Sequence, residues 1–162
     1  MLANLLLRTE YSFMKSLCAL KDVVKKSKEL GYNAIAITDF GNLHGGYKFY
    51  KECIKNKIKP IIGIQIELMC GEVSVPIVLY AMDNFGYQNV LKLASKYKIT
   101  GHPIELEYLS KCNIGVIGVM LAGCSIIENR NTQFINRIKV EFSNFYIGIT
   151  KEILNDSYLE LH

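Results

Sequence analysis

Polar and charged side chains follow three apolar runs of this chain, at the points where the runs end. They occupy residues 8–12, 38–42 and 65–67. If the runs are neighbouring parallel strands, these segments converge, because the sites of α/β proteins lie at the carboxyl ends of such strands. Among them, Glu10 and Asp39 are carboxylates, whereas Arg8 is permanently cationic. The chemistry of the site therefore depends on which side chains meet there.

The elements that must position these segments alternate between strand and helix patterns. The predicted strands are 5–7, 34–37, 60–66, 73–82, 114–121 and 145–149. The predicted helices are 20–30, 43–58, 87–97, 106–111, one from Asn129 or Asn131 to about Phe142, and one that begins near Lys151. Alternation of this kind predicts an α/β fold with a mainly parallel sheet or barrel. The run 73–82 is expected to lie beside 61–68, across a turn at Cys70 and Gly71.

Composition excludes several classes of protein. The 162 residues are 50% hydrophobic and 21% charged, with a net charge of +4, which excludes a disordered chain, collagen and a disulfide miniprotein. The lysines are scattered and only three basic residues are arginines, so a dedicated nucleic-acid face is not indicated. No apolar run is long enough to span a membrane, and the N-terminus lacks the features of a secretory signal.

The five cysteines indicate a reducing compartment, and we therefore expect a cytoplasmic protein. Their number is odd and no two have the C-x-x-C spacing of redox or zinc motifs. Most of them have apolar neighbours in the sequence, which predicts buried free thiols.

Several short motifs follow one another in a fixed order. They are 9–12 (TEYS), 28–31 (KELG), 36–39 (AITD), 41–43 (GNL), 48–50 (KFY), 58–63 (IKPIIG) and 84–89 (NFGYQN). In this order they resemble the PHP (polymerase and histidinol phosphatase) domain family, and within it the N-terminal PHP domains of bacterial DNA polymerase III alpha subunits. The resemblance implies that the sheet is part of a distorted PHP-type (β/α)7 barrel with mainly parallel strands and alternating helices.

The family resemblance also implies a metal site, from which this chain departs. Metal-binding members have a His-x-His pair where Leu6 and Arg8 stand, histidine where Phe40 stands, and glutamate where Gln65 stands. Polymerase members often carry a further histidine where this chain has Asn4. Leucine and phenylalanine offer no lone pair, and glutamine offers only a neutral carbonyl oxygen. An Asp-Gly pair that is common after the first motif is replaced by 15–16, Lys-Ser.

These positions, together with Glu10 and Asp39, are interpreted as a vestigial site with no metal, no cofactor and no catalytic residue. Two roles remain open for Asp39: an ion pair with Arg8, or a cap of the loop through Gly41 and Asn42. Glu10 is an alternative partner for Arg8. An active site would need substitute ligands, for which His44, expected inside a helix, His102 and the cysteines are the candidates.

The resemblance implies a degenerate PHP domain of a replicative DNA polymerase III alpha subunit, with a structural and partner-binding role in DNA replication. Its implied partners are the remainder of the alpha chain, a proofreading exonuclease subunit, and DNA through the parent enzyme, which is a nucleotidyltransferase. The alternatives are an active metal-dependent phosphoesterase of the histidinol-phosphatase type and an unrelated α/β metabolic domain. The latter lacks support because no glycine-rich phosphate loop is present.

Residues 1–162 are expected to form a single PHP domain and to be an N-terminal fragment of a larger chain. The implied barrel is longer than this sequence, so we expect an open barrel edge near 145–149 that needs covering, for which self-association is one means. The catalytic carboxylates of polymerisation are expected downstream, outside this sequence.

Overall fold

The computed structural model describes residues 2–121 and 132–149, in which seven strands form one mixed sheet with helices against it. The strands are β1 (Ala3–Asn4), β2 (Ala34–Phe40), β3 (Lys59–Cys70), β4 (Val73–Ala81), β5 (Ile104–Glu105), β6 (Val116–Leu121) and β7 (Asn144–Gly148). The helices are α1 (Leu20–Glu29), α2 (Gly46–Lys55), α3 (Asn84–Thr100), α4 (Leu106–Leu109) and α5 (Thr132–Val140). In these two segments, no helix is both long and apolar enough to cross a membrane.

The strand order is β1-β2-β3-β4-β6-β7, and β5 pairs with the far end of β3. Strand β4 is antiparallel to both β3 and β6, while the other pairs, including β1–β2, β2–β3 and β6–β7, are parallel. The prediction of a mainly parallel α/β sheet is confirmed. The expected pairing across the turn after Cys70 is also confirmed, since Cys70 is the register partner of Val73.

Strand β2 is buried on both faces, as its continuous apolar run predicts. Ile35 and Ile37 pack with residues of α1 and α2, whereas Ala36 packs with Val78 and Tyr80 on the opposite face. The helices thus cover one face of β2, and the other, which we call the inner face, looks toward β4 and β6. Since side chains alternate along a strand, the same alternation decides where the polar residues at the end of β2 point.

The structure corrects several predicted element boundaries. The first strand is β1 (Ala3–Asn4) rather than 5–7, although the Thr38 N–H still donates to the Leu7 carbonyl oxygen at 2.8 Å. Helix α2 is shorter than 43–58, so His44 precedes the helix. The side chain of Asn42 explains the late start, because its oxygen accepts the His44 N–H at 3.1 Å in a turn. Strand β3 extends beyond 66, and the two-residue β5 was not predicted.

Two predictions concern residues outside the described segments: the cap of α5 at Asn129 or Asn131, and the helix near Lys151. The described α5 ends at Val140, two residues before the predicted end. Strand β7 stands at one end of the strand order, and Tyr146 and Ile147 in it are exposed. Covering of this edge by self-association stays a prediction.

Among the cysteines whose side chains are described, Cys53 and Cys112 are buried free thiols, as predicted, and Cys18 is exposed. Burial, followed by the neighbouring Glu52 carboxylate, raises the pKa of Cys53 to about 12. A thiol with so high a pKa stays protonated near neutral pH, which makes Cys53 a packing residue rather than a nucleophile.

The first turn of α3 lies directly against the loop before β6. The Asp83 carboxylate caps the helix by accepting the Gly86 N–H at 2.7 Å. A Cβ on Gly86 would come within 1.9 Å of the Gly115 carbonyl oxygen, so only glycine fits at this position. Gly115 itself has a φ of +73°, which favours glycine as well. The contact fixes α3 relative to the central strands β4 and β6.

Replacing Gly86 with alanine tests this contact. We expect Gly86→Ala to lower the free energy of unfolding by about 2–3 kcal/mol, because backbone must move to admit the methyl group. The matched control is Gly46→Ala in α2, where nothing lies within 4 Å of the added Cβ. Urea denaturation followed by circular dichroism measures both. Equal stabilities of the two variants would contradict the close approach.

Candidate functional site

The three polar segments recognised in the sequence meet at the carboxyl ends of β2 and β3. In the parallel ladder of these strands, Asp39 is the register partner of Ile64, and Phe40 is the register partner of Gln65. Residues 8–12 lie across the end of β2, to which they are joined by the hydrogen bonds described below. The predicted convergence is therefore confirmed, but the side chains divide between the two faces of the sheet.

The Asp39 carboxylate is buried, with 1% of the residue exposed, and holds residues 9–12 onto β2. Its Oδ1 accepts the Thr9 N–H and the Ser12 hydroxyl, both at 2.6 Å. Its Oδ2 accepts the Thr9 hydroxyl at 2.8 Å. The Ser12 Oγ in turn accepts the Phe40 N–H at 3.0 Å. Three donors thus compensate for the lost hydration of a buried carboxylate.

Arg8 pairs with Gln65 rather than with an acid. Its Nε and Nη2 donate to the Gln65 Oε1 at 3.0 and 2.7 Å. Within residues 2–121 and 132–149, no carboxylate lies within 4.0 Å of the Arg8 guanidinium, so the expected ion pair with Asp39, or with Glu10, is wrong.

The alternation of β2 explains why the ion pair is absent. Asp39 is two residues after Ile37 and therefore lies on the same face of β2, the face that α1 and α2 cover. Arg8, in contrast, donates to Gln65 on the inner face. The alternative role for Asp39, a cap of the following loop, is also wrong, because its three donors all precede it in the chain. The loop is held by Asn42, whose Nδ2 donates to the carbonyl oxygens of Tyr11 and Phe40, each at 3.0 Å.

Glu10 interacts with the start of α1 rather than with Arg8. Its Oε2 accepts the Leu20 N–H at 2.6 Å, and its Oε1 lies 3.9 Å from the Lys48 Nζ. A carboxylate at the N-terminus of a helix satisfies a free N–H group and interacts favourably with the helix dipole. Glu10 therefore serves the packing of α1.

Phe40 carries a cation at its ring face. The Lys15 Nζ lies 3.3 Å from the centroid of the Phe40 ring, and Tyr97 meets the same ring edge-on, with 6.1 Å between centroids. Burial, and then the charge of Glu67, raise the pKa of Tyr97. In the sequence, position 15 stands out only as a departure from the family pattern. The replacement of an acidic residue by lysine at position 15 was the sequence feature that could have indicated this contact.

Asn4 and Leu6 organise the segment that leads into the site. The Asn4 Oδ1 accepts the Leu6 N–H at 3.1 Å, and Leu6 packs against the inner-face cluster. The Tyr80 hydroxyl donates to the Leu5 carbonyl oxygen at 2.5 Å, which ties this segment to β4. Burial raises the pKa of Tyr80 to about 12, so the phenol remains a neutral donor. Nothing in the sequence pattern indicated a contact between residues so far apart.

The residues present do not fit a metal ion. In the described part of the chain, no three His, Cys, Asp or Glu side chains converge in a way that could hold one. Leu6 and Phe40 have no ligating atom, and the Gln65 Oε1 already accepts two hydrogen bonds from Arg8. The candidate substitute ligands His44 and His102 are both exposed.

Comparison with known protein families shows to which family the chain belongs. The family model of the PHP domain matches residues 4–162. This chain belongs to the PHP domain family. It is 38% identical over 109 residues to DNA polymerase III subunit alpha of Streptococcus pyogenes serotype M3, a match that covers 67% of this chain and 10% of that protein. It is 32% identical over 173 aligned positions to the same subunit of Borreliella burgdorferi, covering 98% of this chain and 15% of that protein.

Two solved structures show the same fold at low sequence identity. An amidohydrolase from Chromobacterium violaceum, described with bound sulfate and no metal, superposes with a TM-score of 0.66 at 11% identity, over 90% of this chain and 75% of that one. A putative metal-dependent phosphoesterase from Bifidobacterium adolescentis superposes with a TM-score of 0.67 at 10% identity, over 93% and 79%. The described strands thus form a curled part of a PHP-type barrel, as the family resemblance predicts.

Removal of the Asp39 carboxylate tests its role. Asp39→Ala leaves three buried donors without an acceptor, and we expect the free energy of unfolding to fall by about 3 kcal/mol. The control is Asp22→Ala, since Asp22 is exposed in the first turn of α1 and its loss costs less than about 1 kcal/mol. Chemical denaturation measures both variants. If Asp39→Ala were no less stable than Asp22→Ala, the carboxylate would not hold residues 9–12.

Proposed function

We propose that this chain is a degenerate PHP domain, without metal and without catalytic activity, of a replicative DNA polymerase III alpha subunit. Its role in DNA replication is structural and partner-binding. The observation that carries the proposal is the pair of hydrogen bonds from Arg8 to Gln65. Metal-binding members of the family carry histidine and glutamate at these two positions, and here a cation and an amide satisfy each other instead.

The matched relatives support the proposal that the parent chain is a DNA polymerase III alpha subunit. The matched proteins are DNA polymerase III alpha subunits, and this chain spans only 10–15% of their length. We therefore propose residues 1–162 as a PHP domain at the N-terminus of a larger alpha chain, which works in the cytoplasm and reaches DNA through its other domains. The chemistry of polymerisation is assigned to those domains, and no residue of this sequence is proposed as a catalytic residue.

The second candidate is an active metal-dependent phosphoesterase. The Bifidobacterium adolescentis neighbour, described as a putative enzyme of that class, favours it at the level of the fold. The side chains at the candidate metal positions disfavour this activity, because metal-dependent phosphoester hydrolysis needs imidazole and carboxylate ligands on the metal. Leu6, Arg8, Phe40 and Gln65 supply neither.

Metal content distinguishes the two candidates. We expect the purified chain to contain less than stoichiometric zinc or manganese by plasma mass spectrometry, and to leave a generic phosphomonoester unhydrolysed. The matched variant restores the family pattern with Leu6→His, Arg8→His, Phe40→His and Gln65→Glu, and is expected to gain bound metal because its ligands are imidazoles and a carboxylate. Stoichiometric metal together with turnover in the wild-type chain would overturn the proposal.

The partner-binding role predicts association with a proofreading exonuclease subunit. We expect the tagged alpha chain that contains this domain to retain the exonuclease at micromolar concentration, and to lose most of it when residues 1–162 are deleted. Deletion can also disturb the rest of the chain, so polymerase activity of the deleted form serves as the control. Full retention of the exonuclease by an active, deleted chain would count against the role.

A further inference from the structure

Two cavities lie one after the other along a single face of α3. The first, of about 310 Å³, is bounded by the first half of α2 and the start of α3, and the second, of about 350 Å³, by residues 41–44 and the later part of α3. Their lining on α3 includes a series that recurs every three or four residues: Asn84, Tyr87, Leu91, Ser95 and Lys98. Residues with this spacing share one helix face, so the cavities form one groove about 21 Å long, which we call the α2–α3 groove.

Large apolar side chains in this groove are exposed to solvent. Tyr47 and Tyr50 of α2 are 72% and 49% exposed and line the first cavity. Ile99, near the end of α3, lines the second cavity and is 84% exposed. The same face of α2 continues to Ile54, which is exposed as well. Single exposed apolar residues are ordinary, but a contiguous series of them marks a surface that a partner covers.

The floor of the first cavity determines what kind of segment the groove can bind. It is formed by Pro60 and Ile62 of β3 and by Ala81 of β4, and each of these strands is hydrogen-bonded to a neighbour on both sides. A partner therefore cannot add a strand here. A valley between two helices suits the other common recognition mode, in which an amphipathic helix lays its apolar face into a groove.

Lysines dominate the charge around the groove. Helices α2 and α3 carry six lysines and one acid, Glu52. Lys98 lines the second cavity, and the Lys51 Nζ lies 5.3 Å from the centroid of the Tyr47 ring at the first. In the described part of the chain, no carboxylate oxygen lies within 4.0 Å of the Nζ of Lys51 or Lys98. These two cations are therefore placed to interact with carboxylates of a bound segment.

The acids near the groove are engaged within the chain or lie on the other side of the sheet. Of the described residues that line the two cavities, only Asp83 is acidic, and its carboxylate accepts the Gly86 N–H as the cap of α3. The Glu52 Oε1 lies 3.9 Å from the Lys55 Nζ. Glu67 alternates with the residues of β3 that pack against α3, so it lies on the inner face of the sheet. The groove as a whole is therefore positive.

We propose that the α2–α3 groove binds an acidic amphipathic helix of a partner protein. The apolar face of this helix packs against Tyr47, Tyr50 and Leu91, and its carboxylates lie near Lys51 and Lys98. The inference deepens the partner-binding part of the proposed function and rests on it.

A second copy of this chain is a poorer occupant of the groove. Every described helix of more than four residues carries more lysine and arginine than aspartate and glutamate. Seating one of these helices in the groove would bring like charges together, which disfavours association. The acidic helix is therefore assigned to a different protein.

Binding of a designed helical peptide tests the proposal. The probe is a fluorescein-labelled helix of about 15 residues, which matches the length of the groove. It carries leucine or phenylalanine at every third or fourth position and glutamate at most others, and the control probe replaces each glutamate with lysine. Fluorescence anisotropy measures both at constant ionic strength. We expect saturable binding of the acidic probe and about tenfold weaker binding of the lysine probe, because the lysines at the groove attract one and repel the other.

Matched variants of the chain locate the binding. Tyr50→Ser is expected to weaken binding of the acidic probe about tenfold, because aromatic anchors carry much of the binding free energy at such interfaces. Tyr146→Ser, which removes a similarly exposed tyrosine of β7, is expected to leave it unchanged. Lys98→Gln is expected to weaken binding about threefold, and Lys21→Gln in α1 is expected to have no effect. Circular dichroism checks that all four variants keep the fold.

The outcomes separate this inference from the proposed function. Equal binding of the two probes, equal binding by Tyr50→Ser and Tyr146→Ser, or no effect of Lys98→Gln would overturn the acidic-helix site and leave the metal-free domain intact. Dimerisation of the chain that is lost in Tyr50→Ser would assign the groove to a second copy and overturn the inference. Stoichiometric metal with turnover would overturn the metal-free domain and leave the binding of the probe unchanged.

Discussion

The buried carboxylate of Asp39 is the constraint on which the rest of the site depends. A carboxylate that has lost its water must find donors, and here the backbone of Thr9 and the hydroxyls of Thr9 and Ser12 provide them. These bonds fix residues 9–12 across the end of β2. Arg8, next in the chain, is thereby directed to the inner face, where Gln65 accepts its hydrogen bonds. Lys15, which follows this segment in the chain, lies over the ring of Phe40.

Much of the fold was predictable because it follows from periodicity. The helical spacing of apolar residues placed α1 almost to the residue, and the continuous apolar run of β2 predicted burial on both faces. Boundaries set by single side-chain contacts were not predictable from periodicity. Helix α2 starts late because the side chain of Asn42 stabilises a turn before it. The hydroxyl of Tyr80 binds the Leu5 carbonyl oxygen, and no local sequence pattern predicts a contact between residues 75 apart in the chain.

The location of the site was predicted correctly, but the pairing of its side chains was not. Residues 8–12, 38–42 and 65–67 meet as their positions at strand ends predict, but their charged side chains do not face one another as expected. Strand alternation, which is readable in the sequence, puts Asp39 on the helix side with Ile37. Asp39 and Arg8 therefore satisfy different partners, and the choice of those partners depends on hydroxyl and amide geometry that residue types alone do not determine.

The central claim is that hydrogen bonds among the chain's own side chains hold these strand ends together without a metal ion. Thermal unfolding of the chain, measured before and after exhaustive chelation and again with added zinc or manganese, tests it most directly. A ligand that binds only the folded state raises the unfolding temperature. We predict the same unfolding temperature in all three conditions. A fall of the unfolding temperature on chelation that is reversed by the added metal would contradict the claim.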